Sequence, residues 1–442
     1  MKRTILAAFL SAIISFAAYA QRGGAFYDAV DMYVDNITGV YAKGDSVRVY
    51  AKLTKPVDEP LQMRIFDAGK VVKTVDVALS ETPKVVFRGA FDTAKSMMFF
   101  VSTKADPKKY SGVGFMVAPE DYRPGFEEPS DFLSYWNSQK KALRRSRMKV
   151  KKTRIYPTDV KDADKFEIYD VEISMPEGPS AKGYMAIPIG AEPKSLPIAL
   201  FVHSAGVAYP FNKSTVKDAV KFASYGKGAI GFDLNAHGML NGQPQSYYDN
   251  LNNGELKGYS TRPLTTRKDF YFRLMYLREL RTMDYLCSLR EWDGKRALVY
   301  GESQGGGQSC ALAGLDPRIT AAVINVPAMT DWGGILVGRK AGWSASYGKY
   351  ADTDTGRDIL PYFDGALFLQ HTKASIFVVA GLIDETCDPA CVYAAFNAST
   401  SPDKKIYPDS HRTHSHVHGH YGKGWNDTIG KARTAFVEEH LK

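Results

Sequence analysis

The chain has 442 residues, 44% of them hydrophobic and 24% charged, with a formal net charge of +9. That composition excludes a disordered, collagenous or coiled-coil chain and leaves room for two or three globular domains. Four cysteines are too few to staple a chain of this length, which excludes a disulfide framework. Cys287 and Cys310 lie in apolar stretches and read as buried thiols, while Cys387 and Cys391 are spaced to share one helix face.

Residues 1–20 read as a secretory signal peptide. Lys2 and Arg3 precede the apolar run 5–18, and Ala18-Tyr19-Ala20 is a small-residue cleavage site. The run is short for a membrane span, and nothing comparable recurs. The expected location is periplasmic or secreted.

Residues 21–120 follow as an expected β-domain. The segments 46–53, 61–67, 71–79, 84–91, 97–104 and 112–119 carry period-two patterning between turn residues. Six or seven short strands without helices predict a small all-β sandwich, immunoglobulin-like in character. No catalytic constellation falls within it, so its expected role is packing or orienting substrate.

A Pro- and acid-rich break at 119–131 separates this domain from an expected catalytic domain over 121–442. Beyond it lies the densest basic cluster, 140–154, read as a solvated helix face. Neither interleaved aromatics nor a nucleic-acid motif accompanies it, which argues against a nucleic-acid partner. The pattern then alternates between strands (166–175, 181–189, 196–203, 228–234, 296–301, 321–327, 374–381) and helices (214–226 and 269–292). Alternation of this kind predicts a doubly wound, largely parallel α/β sheet with its site at the carboxyl ends of the strands.

One such strand runs into Gly301-Glu302-Ser303-Gln304-Gly305, a G-x-S-x-G nucleophile elbow followed by a helix of small residues. Glycines at 301, 305 and 306 permit the tight turn that lifts the Ser303 hydroxyl out at the sheet's end. Two backbone N–H groups should bind the oxyanion, from Gln304 and from Ala205 in the loop 203–206. His203 ends a strand too early in the chain to be the base and reads as structural. The chain order Ser, acid, His places the acid at Asp384, at the end of the strand that begins at 374, whereas Asp388 reads as a helix cap.

Five of the nine histidines then crowd residues 411–420: His411, His414, His416, His418 and His420. Spacing does not choose the base among them. Alternating His414, His416, His418 and His420 would share one face if extended, a pattern that also suits a transition metal with Cys387 or Cys391. A polar loop with one functional member is the simpler reading, and no metal is assigned.

From residue 130 to the C-terminus the chain resembles the acetyl xylan esterase / cephalosporin-C deacetylase family of α/β-hydrolases. The resemblance rests on SDFLSYW (130–136), the Tyr-rich helix 267–286, GESQGGGQSCALAGLDPRITAAVINVP (301–327) and GLIDETCDPACVYAAFN (381–397). It implies Ser303 as nucleophile, Asp384 as acid, and Gln304 and Ala205 as oxyanion donors. The family's terminal Gly-His-Glu motif is matched nearest by Gly419-His420-Tyr421, which makes His420 the implied base, with His411 and His414 as alternatives. Two departures stand out. His203-Ser204-Ala205 replaces His-Gly-Tyr, and AHGMLNGQ (236–243), with Asn235 and His237 beside it, replaces Arg-Gly-Gln.

The implied activity is a serine esterase that removes acetyl groups from acetylated carbohydrates such as xylo-oligosaccharides, without a cofactor. Homo-oligomeric assembly is a family habit. A serine peptidase of related fold and a non-catalytic carbohydrate-binding homologue are the alternatives. The first would cleave aminoacyl anilides, and the second would bind glycans without turnover.

Overall fold

The computed structural model describes residues 25–442, so the expected signal peptide lies outside the described residues. Period two in the first part of the chain becomes nine strands: β1 (Ala25–Phe26), β2 (Val30–Val34), β3 (Val40–Tyr41), β4 (Val47–Leu53), β5 (Leu61–Asp67), β6 (Lys70–Val77), β7 (Lys84–Gly89), β8 (Lys95–Thr103) and β9 (Lys109–Val117). One sheet runs β1-β9-β8-β5-β6, with β3 also on β9, and the other runs β2-β4-β7. Alternate residues of both sheets, among them Met32, Val49, Met63, Phe99, Val113 and Phe115, form one apolar core between them. Each large side chain so buried stabilises the sandwich by about 1.5–3 kcal/mol. The first three strands precede the segments read from periodicity. Of these, β2 has clear alternation over only five residues.

β8 and β9 differ from the simple alternation expected. Past its first residue, each is buried on both faces. The reason is that Ala380–Ala390 and Pro408–Thr428 belong to the same compact unit as the chain up to Tyr122. Ile383 joins Phe66, Met98, Phe100 and Tyr110 in a second apolar cluster.

The other compact unit comprises Arg123–Val379, Cys391–Tyr407 and Ile429–Lys442. The remaining strands are β10 (Val150–Ile155), β11 (Phe166–Ile173), β12 (Ala181–Pro188), β13 (Leu196–Val202), β14 (Ile230–Leu234), β15 (Trp292–Glu302), β16 (Ala321–Asn325), β17 (Ser375–Gly381) and β18 (Lys404–Asp409). They form a nine-stranded sheet in the order β10-β11-β12-β14-β13-β15-β16-β17-β18. The first three pairings are antiparallel, and the pairings from β14 through β13, β15 and β16 to β17 are parallel. This is the doubly wound sheet that the strand–helix alternation predicts, preceded by an all-β sandwich.

Two local readings need correction. The basic cluster is not one helix face: the helix Phe132–Arg145 stops, and Val150–Ile155 is an edge strand paired with β11. The helix expected over 269–292 spans Tyr271–Leu286, because Trp292 already pairs with Leu196 at the start of β15. The helix Val216–Ala223 begins where Thr215 caps it, accepting from Asp218 N at 3.0 Å.

Candidate active site

The Ser303 backbone lies between β15 and the helix Gln304–Leu315 at φ 58° and ψ −121°, a conformation costly for any residue with a side chain. The strain persists because the turn is pinned on both sides. Ser303 N donates to Asn325 O at 3.0 Å, and its carbonyl accepts from Gly307 N and Ala328 N at 3.1 and 2.8 Å. Its neighbours must be glycine. A Cβ on Gly301 would collide with the Gly305 carbonyl, and one on Gly305 with the Val202 carbonyl. Ser303 is 6% exposed.

Gln304 opens the helix, where the first N–H groups have no carbonyl partner within the helix. Its side chain is buried and accepts from Tyr259 OH at 2.7 Å. The same hydroxyl accepts from Gly206 N at 3.0 Å, so one tyrosine ties the loop 203–206 to the elbow. Asn212 Nδ2 holds the Ser204 and Ala205 carbonyls at 3.1 and 3.0 Å, and Ser204 Oγ donates to Glu302 O at 3.1 Å. Three side chains, those of Tyr259, Asn212 and Ser204, thus fix the segment that carries Ala205.

His203 is buried and structural, bonded to Asp233 and, through Nδ1, to Phe211 O at 3.1 Å. His237 is more than a packing residue. Its Nε2 bonds Gly206 O at 2.9 Å and its Nδ1 meets Tyr271 OH at 2.7 Å. Burial pushes its pKa down to about 3, so it is a neutral prop for the loop at any working pH. Neither His237 nor Tyr259 stood out as part of the site from sequence. For His237 the sole signal was its place in the segment 236–243 that replaces the family motif, and Tyr259, which lies beyond that segment, had none.

Asp384 follows β17, fully buried. Its Oδ1 accepts from Thr386 N and Cys387 N, both at 2.8 Å, and its Oδ2 pairs with His414 Nδ1 at 2.8 Å. Asp388 instead accepts from Ala390 N at 2.9 Å, at the start of the helix Pro389–Ala398.

The imidazole on Asp384 belongs to His414, and not to His420, the residue that the family motif implies as base. The chain around His414 is folded back rather than extended. Arg412 and Val417 form an antiparallel bridge, Thr413 N donates to His416 O at 2.8 Å, and His418 N donates to His411 O at 2.9 Å. His414 sits in that turn and is 8% exposed. His420 lies past it, exposed, at the start of a short helix, with its ring 4.0 Å from that of Tyr421. His411 bonds Met32 O at 2.8 Å and stacks on Tyr421 at 3.5 Å. Folding back also removes the shared face that four alternating histidines would need for a metal. The ligand-spaced group among the described residues is Asp384, Cys387 and His414, whose donor atoms lie within 4.8 Å of one another. All four cysteines are thiols.

The sandwich holds both of these loops. Leu382 N donates to Asp409 O and Ile383 N to Arg412 O, at 2.9 and 3.2 Å, which ties the Asp384 loop to the His414 loop. β9 then grips the pair. Gly114 N donates to Ser410 O at 2.9 Å, and Tyr110 OH donates to Glu385 Oε2 at 3.0 Å. A Cβ on Gly114 would collide with the Leu382 carbonyl. Gly114→Ala is therefore expected to cost about 1–3 kcal/mol in urea unfolding, as overpacking against backbone does. It should also lower kcat more than a neutral surface substitution on β6, because the displaced segment leads directly into Asp384.

Comparison with known proteins places this geometry in context. Residues 118–423 match the model of the acetyl xylan esterase (AXE1) family. The chain is 29% identical over 299 residues to acetyl esterase Axe7A of Xylanibacter ruminicola, a match covering 66% of this chain and 65% of that protein. The chain thus spans a little under two thirds of that relative's length. Two solved structures share the fold. Acetyl xylan esterase from Paenibacillus sp. R4 has a TM-score of 0.60 at 24% identity, covering 73% of this chain and 98% of that one. Acetyl xylan esterase 1 from Thermoanaerobacterium sp. JW/SL YS485 has a TM-score of 0.58 at 21% identity, with the same coverages. The doubly wound sheet is accordingly an α/β-hydrolase sheet, and the chain belongs to the acetyl xylan esterase family.

Proposed function

We propose that this protein is an exported serine esterase that removes acetyl groups from acetylated carbohydrates such as xylo-oligosaccharides, using Ser303, His414 and Asp384. The observation that carries the reading is the Asp384–His414 pair, at 2.8 Å, following β17 and β18 in the chain order expected for a base partnered to an elbow serine. Export is supported by the basic start, apolar run and small-residue cleavage site in residues 1–20. No helix among the described residues is long and apolar enough to cross a membrane.

The proposed steps use each group according to its own chemistry. With Asp384 accepting at Nδ1, His414 is held in the tautomer whose Nε2 lone pair can take a proton. Ser303 Oγ gives up its proton to Nε2 as it attacks the acetyl carbonyl. The resulting oxyanion is met by the N–H groups of Gln304 and Ala205. Collapse breaks the bond to the sugar oxygen, which leaves with the proton returned by His414. An acetyl-enzyme remains, and water, deprotonated in turn by His414, releases acetate and restores Ser303. Every bond change uses side chains of the protein and water, so no cofactor enters.

The test is acetate release from acetylated xylo-oligosaccharides by the mature protein. Release that is lost in Ser303→Ala supports the reading. No release from folded wild-type protein, together with cleavage of an aminoacyl anilide, would replace it with a peptidase of the same fold.

A further inference from the structure

Of the five clustered histidines, only His414 is used by the mechanism. Three of the others line a cavity of about 280 Å³ within the β-rich unit, facing residues of β1, β2 and the segment after β4. Its remaining polar lining includes Asp28, Asp31, Thr54 and Lys55, and Tyr421 closes one side.

His418 is the telling member. It is 1% exposed, and neither of its ring nitrogens has a hydrogen-bond partner among the described residues. Leaving such groups buried and unsatisfied costs about 1–3 kcal/mol apiece, a penalty that a suitable occupant would remove. The ring is held among Phe26, Tyr110 and His416, with centroids 5.1, 5.5 and 5.3 Å away. Burial lowers its pKa to about 3, so it offers one donor and one acceptor rather than a charge.

The other groups are already fixed in place. Lys55 pairs with Asp28, Tyr421 OH donates to Asp31 Oδ1 at 2.9 Å, and His411 is held by Met32 O and the Tyr421 ring. Two carboxylates against one ammonium disfavour an anion. The volume falls below the usual range for drug-sized ligands, which leaves room for a single ring. Neutral donors and acceptors around an aromatic wall are the chemistry that binds sugar hydroxyls on one side and a sugar's C–H face on the other.

We propose that this cavity is a glycan subsite that holds one neutral, unacetylated sugar ring, with His418, Asp31 and the Asp28–Lys55 pair as its hydrogen-bonding groups. The proposal rests on the reading of the protein as a carbohydrate deacetylase. It gives the β-domain a share in recognising the backbone of the substrate.

The test is calorimetric titration of the mature protein with unacetylated xylotetraose, run beside acetate release from acetylated xylo-oligosaccharides. Saturable binding by wild type, weakened at least ten-fold in both His418→Phe and Lys55→Ala, is the expected result. Lys55 is exposed, so its variant tests the site even if His418→Phe melts early. Equal affinity in wild type and Lys55→Ala overturns the subsite. Acetate release without any xylotetraose binding also overturns it while leaving the esterase intact. Binding that the variants lose, with no acetate release from wild type, keeps the subsite and rejects the deacetylase reading.

Discussion

Ser303→Ala is expected to lower kcat for acetylated xylo-oligosaccharides by on the order of 10⁵-fold, with little change in the unfolding midpoint. The large effect comes from removing the only atom that can form the acetyl-enzyme in the proposed mechanism. The small stability effect follows from the turn. Ser303 is held at φ 58° by its backbone partners Asn325 O, Gly307 N and Ala328 N, all of which survive the substitution. Alanine meets the same backbone strain as serine, so the elbow should persist. Residual rate above water would measure what the Gln304 and Ala205 donors and substrate binding contribute alone. A Ser303→Ala protein that kept more than a tenth of wild-type kcat would remove the serine mechanism altogether. A protein that unfolded would be uninformative on chemistry, so Ser303→Gly, which relieves the strain, provides the second variant. It should be as inactive as Ser303→Ala and at least as stable.

The elbow was legible in the sequence because its physics is local. The turn itself forces glycine at 301, where a Cβ would meet the Gly305 carbonyl, while glycine at 305 also makes way for the Val202 carbonyl of β13, and the apolar strand and small-residue helix flank the turn directly. Asp384 was legible for a similar reason, as a carboxylate just past the end of an apolar strand. The base was not. All five histidines occur within ten residues, and choosing among them depends on a bridge between Arg412 and Val417 and on a turn closed by Thr413. Neither has a period or composition signature. The motif match pointed to His420, but a short helix begins there and leaves that ring exposed.

The sandwich offers a comparable contrast. Its strands follow from alternation, yet the continuous run MMFFV in β8 breaks period two, and consecutive apolar residues in a strand signal burial on both faces. That second face carries the loops of Asp384 and His414, a long-range consequence invisible to a local pattern. The glycines of β9 belong to the same story: Gly114 makes way for the Leu382 backbone.

His414→Ala is expected to lower kcat by about 10⁴-fold on acetylated xylo-oligosaccharides and on a small acetyl ester alike, whereas His420→Ala should lower small-ester turnover less than ten-fold. The difference arises from which imidazole the buried carboxylate holds. Asp384 Oδ1 is fully occupied by Thr386 N and Cys387 N, so Oδ2 is the oxygen left to orient a base, and His414 Nδ1 occupies it. His420, exposed and stacked beside Tyr421, has no such partner among the described residues to fix its tautomer. Asp384→Asn should follow His414→Ala closely, because an amide at that position can donate to Nδ1 and would favour the unproductive tautomer. The double variant should then be no slower than His414→Ala by more than a few-fold, since residues that act as one unit are not additive. If His420→Ala were instead the inactive variant and His414→Ala active, the 2.8 Å pair would be structural only, and the base would have to be assigned to the exposed end of the loop.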